Sequence, residues 1–516
     1  MCSAQAASTG QRSDEIRQEA LLRTQLSRFL CAEIDRRKFE QAGSLPQTLL
    51  VRAGELGLFG LALPSAFGGL ELGARVTCSL IEDIAVHDRS FATCIGLHNG
   101  LGTRPLVAHG TRAAQEEWLP RLALGDAIAS FAATEPQAGS DLTAIRTTLT
   151  RGAGGYRLSG EKAYVTNGRL ASVVTVLVGS PKADAVRGHS VVLVPTDAPG
   201  VTVGAEEDKL GLRASSTTSI HFDLVGVPRD HLLGELGEGV AVTHNALVWG
   251  RTLMSAGCVG TSSAALHAAK AHVRARRQFG RRLADFDSVR EHLASIAVCD
   301  AASRALVLEA ARRIDGNEPA HLASAIAKVF SSEAAFDAVD RAIQLHGALG
   351  FIEDTGLPAM LRDCRVTRIF EGANDVLLQR IGVDWLASPS LQHELSQASA
   401  FIGEQFVEAV ERLQTVCETV RADMGVRVLR HQLVLARIAK AVVYLTAARA
   451  VAHSADASTA ALRAYAVQAL TRRATESLAH VWKSSVDERA VRDVCVALLD
   501  EREFNAPLTG ADEVFP

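Results

Sequence analysis

Three short segments hold residue types that packing alone does not explain: TEPQAGSD at 134–141, EKAYVTNG at 161–168 and RIFEGANDVL at 368–377. In the third, Glu371 follows the apolar pair Ile369 and Phe370 and precedes Gly372, a setting that strips water from a carboxylate and raises its proton affinity. Such an acid can exchange a proton near neutrality. Taken alone, it is equally an ordinary solvated cap. The second segment sets Tyr164 and Thr166 on one side of a strand ending in Asn167-Gly168, an aromatic face beside a hydroxyl, although a plain hairpin has the same signature. In the first, Pro136, Gly139 and Ser140 stand where a helical region hands over to a strand region. Backbone amides can face a ligand there, and an ordinary connecting loop is as consistent.

Several other chemistries lack their residues. No G-x-G-x-x-G follows a strand and opens a helix, and there is no G-x-x-x-x-G-K-[ST], H-E-x-x-H or G-x-S-x-G. Nicotinamide, nucleotide-hydrolysing, zinc-protease and serine-hydrolase mechanisms drop out. The nine cysteines are scattered singly, without a C-x-x-C pair or metal-ligand spacing, and read as free thiols with no metal site. The 54 basic and 58 acidic side chains leave a net charge of -4, which argues against nucleic acid as the main partner. The basic run RARRQFGRR at 274–282 reads as a solvated helix end or a phosphate site. No apolar stretch reaches the roughly eighteen residues that cross a bilayer, and the first twenty residues lack an apolar core or the acid-poor character of a presequence. A cytoplasmic location is expected, without membrane attachment.

Positioning these segments requires several domains, since 516 residues exceed one compact core. Helical spacing recurs from residue 14, and residues 1–130 read as an α-helical domain. Fourteen glycines and short β-branched runs between Arg151 and Val240 then mark an antiparallel β domain over 131–240. Long Ala-rich helices fill 241–386. Residues 387–516 hold only three glycines, and Ile402, Phe406, Ala409, Leu413, Val416, Val420 and Met424 mark one face of a helix. Further helices over Val428–Val451 and Thr459–Trp482 complete an additional bundle, with Pro389 as the joint. The fold class is mainly α with a central β domain.

In combination, TEPQAGSD, EKAYVTNG, DKLGLRASSTTSIHFDLVGVP, RRQFGRRLADF, QLHGALGF and RDCRVTRIFEGAND stand in the order and spacing of the acyl-CoA dehydrogenase flavoproteins. The chain resembles that family over roughly residues 14–386, and its tail and IFEGAND look most like the very-long-chain branch. The resemblance implies an α-helical domain, a β domain and a four-helix α domain, with FAD between the last two. It implies that Phe131 to Ser140, Ala133 and Gly139 included, form a flavin loop in which Thr134 meets the ring edge and Ser140 the CoA portion. Tyr164, Val165 and Thr166 resemble the family's Trp-Ile-Thr/Ser, which covers one flavin face. Arg276, Gln278 and Phe279 fall on R-x-Q-F-G, whose Arg contacts the FAD pyrophosphate of a neighbouring subunit. Gln344, His346, Gly347 and Ala348 match the segment that approaches the adenosine half. Ala373, Asn374 and Asp375 would border FAD, and Arg251 and Gly372 the substrate. A homo-oligomer, most simply a dimer, follows from sites built across subunits.

By the same resemblance, Glu371 is the base that takes the α-proton of an acyl-CoA thioester, and the β-hydrogen leaves as hydride to flavin N5, giving a trans-2-enoyl thioester. Some members place the base one residue before the helix Arg that corresponds to Arg251; this chain has Gly250 there. An electron-transferring flavoprotein is the implied acceptor, and a long chain the implied substrate, with Gly100, Gly102 and Thr103 as small residues that could leave a deep tunnel for its tail and Arg104 as the residue that could close it. The chain departs from the family at Tyr164, at Ala373 for the Thr of E-G-T, and at Asp287, whose charge Arg281 or Arg282 would offset. A scaffold on the same fold and an oxidase of carrier-protein-bound acyl groups are the alternatives.

Overall fold

The computed structural model describes residues 19–180, 188–397, 402–454 and 459–481. The chain forms two compact units, one of residues up to Asn374 with Ser454–Leu462, the other of Asp375–His453 and residues from Arg463 onward.

In the first unit, side-chain oxygens of Asp35, Asp88 and Thr111 accept first-turn N–H groups of the helices Arg36–Ala42, Arg89–Leu97 and Arg112–Leu124. Gly125, left-handed at φ 79°, ends the last of these. Leu26, Phe59, Ile81, Phe91 and Ile95 fill the core beneath them. After Leu97 the helix widens into one π-type turn, His98–Gly102. Its buried His98 accepts the Ala129 N–H at Nδ1 (3.1 Å), and Thr175 donates to the Gly102 carbonyl (3.1 Å), so this turn fixes the helical layer to the sheet.

The strands are β1 (Ala129–Ala132), β2 (Thr148–Gly152), β3 (Gly155–Thr166), β4 (Val173–Gly179), β5 (His189–Pro195), β6 (Val201–Glu206), β7 (Thr217–Pro228) and β8 (Leu232–Leu233). They lie in the order β6-β7-β3-β2-β4-β5-β8, with β1 added on β4. The sheet is not wholly antiparallel as the sequence suggests: β4 takes β1 in parallel and meets β2 in parallel at Gly179 and Thr148. The chain leaves β1 through the TEPQAGSD loop, whose own tight turn closes between Glu135 and Ala138, so β1 is not joined to β2 as a hairpin and pairs with β4 instead.

The helices Gly239–Ala275, Asp287–Asp315, His321–His346 and Leu357–Arg365 complete the first unit. The 37-residue Gly239–Ala275 owes its close contacts to small residues. A β-carbon on Gly257 would sit 1.4 Å from Nη1 of the buried Arg89, whose Nη2 donates to the Met254 carbonyl at 3.1 Å.

In the second unit, Glu404–Met424 buries Phe406, Ala409, Leu413, Val416 and Val420, the face read from the sequence, while Ile402 precedes the helix. Gln432–His453 and Ala460–Ala479 follow; Trp482 lies outside the described residues. The division between units falls at Asn374 and Asp375, before Pro389. Pro389 starts a short helix, Pro389–Gln397, in the position where its missing N–H costs nothing. The helix Asn374–Ala387 buries Ile381 and Trp385, and Gly382 lies against the Leu435 carbonyl, which a β-carbon would approach to 2.7 Å. Among the described residues, no helix is long and apolar enough to cross a membrane, and no cluster of His, Cys, Asp or Glu is arranged to hold a metal.

Candidate active site

After Leu357–Arg365 and the turn Val366–Arg368, the chain reverses through Glu371 at φ 55° and Gly372 at φ 101°. A left-handed non-glycine residue costs about 1–3 kcal/mol and persists only where its surroundings hold it. Here two buried cations do so. Arg251 Nε donates to the Glu371 carbonyl at 3.0 Å, and Lys328 Nζ to the Gly372 carbonyl at 2.8 Å. Lys328 also donates to Asn374 Oδ1 at 2.7 Å, and Asn374 Nδ2 donates to Ser332 Oγ at 3.0 Å and Glu333 Oε1 at 2.8 Å.

The Glu371 carboxylate is treated differently from its backbone. Its buried Oε2 accepts no hydrogen bond from a described residue. It lies 2.8 Å from where a β-carbon on Gly250 would stand, with Leu101 Cγ at 2.7 Å from the same point. Glycine at 250 therefore makes the room for the carboxylate. Burial pushes Glu371 up to about 7, against the opposing pull of Arg251, Lys328 and Arg89. An acid that ionises near neutrality, with an open lone pair, is equipped as a general base.

The other two segments meet each other. Ala163 N–H donates to the Thr134 carbonyl at 2.9 Å. Lys162 Nζ donates to Glu135 Oε1 at 2.7 Å and to the Ala133 carbonyl at 3.1 Å, and both side chains are buried. Glu135 further accepts the N–H groups of Arg146 (2.7 Å) and Thr147 (3.0 Å). Burial alone would raise this carboxyl; the Lys162 and Thr147 bonds outweigh it and hold it at about 2. The loop from Phe131 to Ser140 is thus clamped to β3 by a closed ion pair. A register shift between Lys162 and Val165 lets Tyr164, at φ 55°, stand 66% exposed, while the Val165 side chain enters the sheet core and leaves only its backbone to a ligand. Thr134 and Thr166 are half-buried, and Gly139 and Ser140 are exposed.

Arg276 closes Gly239–Ala275, and Gln278 and Phe279 lead into a hairpin in which Gln278 pairs with Arg281. Phe279 is 90% exposed at its tip. His346 stacks on His272 at 4.2 Å, which brings the end of His321–His346, with Gln344, Gly347 and Ala348, beside the helix turn that precedes Arg276. Ala373 is half-buried beside Gly372. Asn374 commits its side chain to Lys328, Ser332 and Glu333, and Asp375 is exposed at the start of the second unit. Asp287 is offset by Arg290 at 3.1 Å rather than by Arg281, which lies over the Phe286 ring, or Arg282, which pairs with Asp285. An i,i+3 partner on the same helix is simply nearer.

Gly100 and Gly102 open no tunnel. β-Carbons there would lie 3.5 Å from Gly250 Cα and 3.0 Å from Ala129 Cβ, so both glycines admit neighbouring backbone. Thr103 is buried, donating to the His98 carbonyl. Arg104 lies 4.3 Å above the Trp249 ring and, with Val107, Val248, Ile314 and Pro319, lines a cleft of about 800 Å³. Burial lowers Arg104 to about 10. The exposed aromatic ring of Tyr164, the hydroxyls of Thr134 and Thr166 and the exposed arginines fit a flat ring system that carries phosphates.

Sequence reasoning missed Lys162, Glu135, Lys328 and Arg89. A trace of Lys328 is legible: a lone cation in SAIAKVFSS is out of place unless it has a buried task.

A helical domain, a mixed sheet and a second set of long helices, with an ionisable carboxylate on the turn after them, define a three-domain helix–sheet–helix architecture. Family profiles for the N-terminal, middle and C-terminal domains of acyl-CoA dehydrogenase match residues 17–126, 130–225 and 237–385. The chain belongs to the acyl-CoA dehydrogenase family. It is 36% identical over 360 residues to the very long-chain specific acyl-CoA dehydrogenase, mitochondrial, of Rattus norvegicus, a match covering 68% of this chain and 55% of that protein. It is 34% identical over 339 residues to an acyl-CoA dehydrogenase of Bacillus subtilis, covering 65% and 89%. The crystal structure of an acyl-CoA dehydrogenase complexed with FAD from Bacillus anthracis superposes with a TM-score of 0.81 at 26% identity, covering 91% of this chain and 88% of that one. The chain thus spans about half the length of the mammalian relatives it matches.

Proposed function

We propose that this protein is an FAD-dependent dehydrogenase that converts fatty acyl-CoA thioesters to trans-2-enoyl-CoA. The observation that carries the reading is the Glu371 carboxylate, buried, ionising near neutrality and open at Oε2, on a backbone turn held at both carbonyls. A thioester α-proton is weakly acidic, so its removal needs a desolvated base fixed within hydrogen-bond reach. Glu371 takes that proton, Arg251 and Lys328 fix the peptide that aims it, and Gly250 leaves the space in which the carboxylate stands.

Thr134, Tyr164 and Thr166 border the flavin ring of FAD, while Arg276, Gln278, Phe279 and the segment Gln344 to Ala348 serve its phosphate and adenosine portions across a homodimer. When bound, FAD supplies the acceptor for the β-hydrogen, which leaves as hydride. Exposed Ser140 meets the CoA portion. The long-chain relatives and the cleft beyond Arg104 and Trp249 support a long acyl tail, and an electron-transferring flavoprotein is the acceptor.

The test is an anaerobic titration of the purified protein with palmitoyl-CoA, octanoyl-CoA and isovaleryl-CoA. Bleaching of the visible flavin band by palmitoyl-CoA, absent in Glu371→Gln, is the expected result. Bleaching only by an acyl group on a carrier protein would replace the substrate class, and a folded protein that retains no FAD would overturn the reading.

A further inference from the structure

Lys328 lies among Ala327, Val329 and Phe330, all buried, and a buried ammonium is costly unless bonded. Two of its three donors go to the Gly372 carbonyl and to Asn374 Oδ1, neither of them a carboxylate oxygen. An amine placed on the Glu371 carboxylate would occupy the lone pair that a base needs and hold it ionised, as Lys162 does to Glu135. Lys328 instead grips the backbone one residue further on, and Arg251 grips the carbonyl of Glu371 itself. The two left-handed residues are therefore anchored by cations from two different helices, Gly239–Ala275 and His321–His346.

We propose that Lys328 is a positioning residue for the base: together with Arg251 it clamps the successive carbonyls of Glu371 and Gly372, aiming the carboxylate while leaving it unpaired. Asn374 and Ser332 hold the lysine in that direction. The proposal rests on the functional reading above for what Glu371 does, and goes beyond it in naming the device that aims it. The charge of Lys328 has a second effect. The cations that act on the Glu371 carboxylate are Arg251, Lys328 and, from Arg89–Leu97, Arg89, and they oppose the burial that raises its proton affinity. Glu333 and Cys258 act in turn on Lys328. Losing Lys328 slackens the turn and makes Glu371 harder to ionise.

The experiment compares Lys328→Met and Lys328→Arg with the wild type in the full-length holoprotein. One readout is the pH profile of thioester-dependent flavin reduction; the other is infrared difference titration of the Glu371 carboxyl, referenced to Glu371→Gln. For Lys328→Met, reduction slows by about 10²-fold, the cost of a misplaced reacting group, with thioester affinity nearly unchanged. The carboxyl midpoint rises by about one pH unit. Lys328→Arg restores the midpoint but only part of the rate. A Lys328→Met protein with wild-type rate and midpoint, altered only in thermal stability, overturns the proposal. If Lys328→Met does not fold, Asn374→Ser keeps the charge and removes one anchor: a rate loss of about tenfold at an unchanged midpoint supports the clamp, and an unchanged rate refutes it. If none of the thioesters reduces the flavin of the wild type, the functional reading fails. The infrared midpoint then decides alone, a rise in Lys328→Met supporting the electrostatic contact and no rise overturning it.

Discussion

Lys162 and Lys328 are both fully buried, and burial pushes both amines down to about 8, yet they stand differently to the nearest glutamate. Lys162 bonds Glu135 directly at 2.7 Å, and two backbone N–H groups and the Gln137 side-chain amide (2.6 Å) donate to it as well, so that carboxyl is held at about 2. Lys328 bonds a carbonyl and an amide oxygen, and Glu371 is left to rise to about 7. The same pair of residue types thus makes a structural rivet in one region and, in the other, leaves a carboxylate that ionises near neutrality. What decides between them is whether the amine points at the carboxylate or at the backbone that carries it.

The contrast breaks most sharply at the carboxylates. Glu371→Gln removes the base and lowers thioester-dependent flavin reduction by about 10³-fold or more, with the fold intact by circular dichroism. At the rivet the loss is one of stability. Lys162→Met strands the buried Glu135 charge and costs about 3–5 kcal/mol, read as a fall in urea midpoint at pH 7.

The two glutamates also give opposite pH dependences. Between its ordinary 4.5 and about 7, native Glu371 binds more protons than the unfolded chain, so its contribution to stability falls as pH rises through that window. Glu135, held at about 2, contributes stability that is present above 4.5 and is lost as pH falls toward 2. Glu371→Gln is therefore expected to gain stability relative to wild type on going from pH 5 to pH 8, by at most about 3 kcal/mol, in paired urea melts. The smallest effect is at Gly250→Ala, where the added carbon meets Glu371 Oε2 and Leu101. Overpacking of about 1–3 kcal/mol and a displaced carboxylate should lower the rate of reduction more than the affinity for thioester.

Much of this architecture was legible along the chain. Helical spacing, the glycine-rich strand region and the buried face of Glu404–Met424 follow from local periodicity, which any window of sequence contains. Glu371 could be singled out because its apolar neighbours are adjacent to it. Gly100 and Gly102 misled for the complementary reason: a missing side chain reads as space, whereas the gap is filled by Gly250 and Ala129 from distant segments. The compensation of Asp287 by Arg290 was within reach, since both lie on one helix three residues apart.

By itself, the sequence determined the order of helical and strand regions and the segments that bear chemistry, the one proposed to hold the base included, because each is encoded in residue types close together along the chain. Only the tertiary structure decided that Lys162 closes on Glu135 while Lys328 turns away from Glu371, and that Gly250 clears the place for the carboxylate. Lys328 and Glu371 are far apart in the chain, and the direction of an amine among several oxygens is set by which helices press together. The proton affinity of a buried acid depends on that direction.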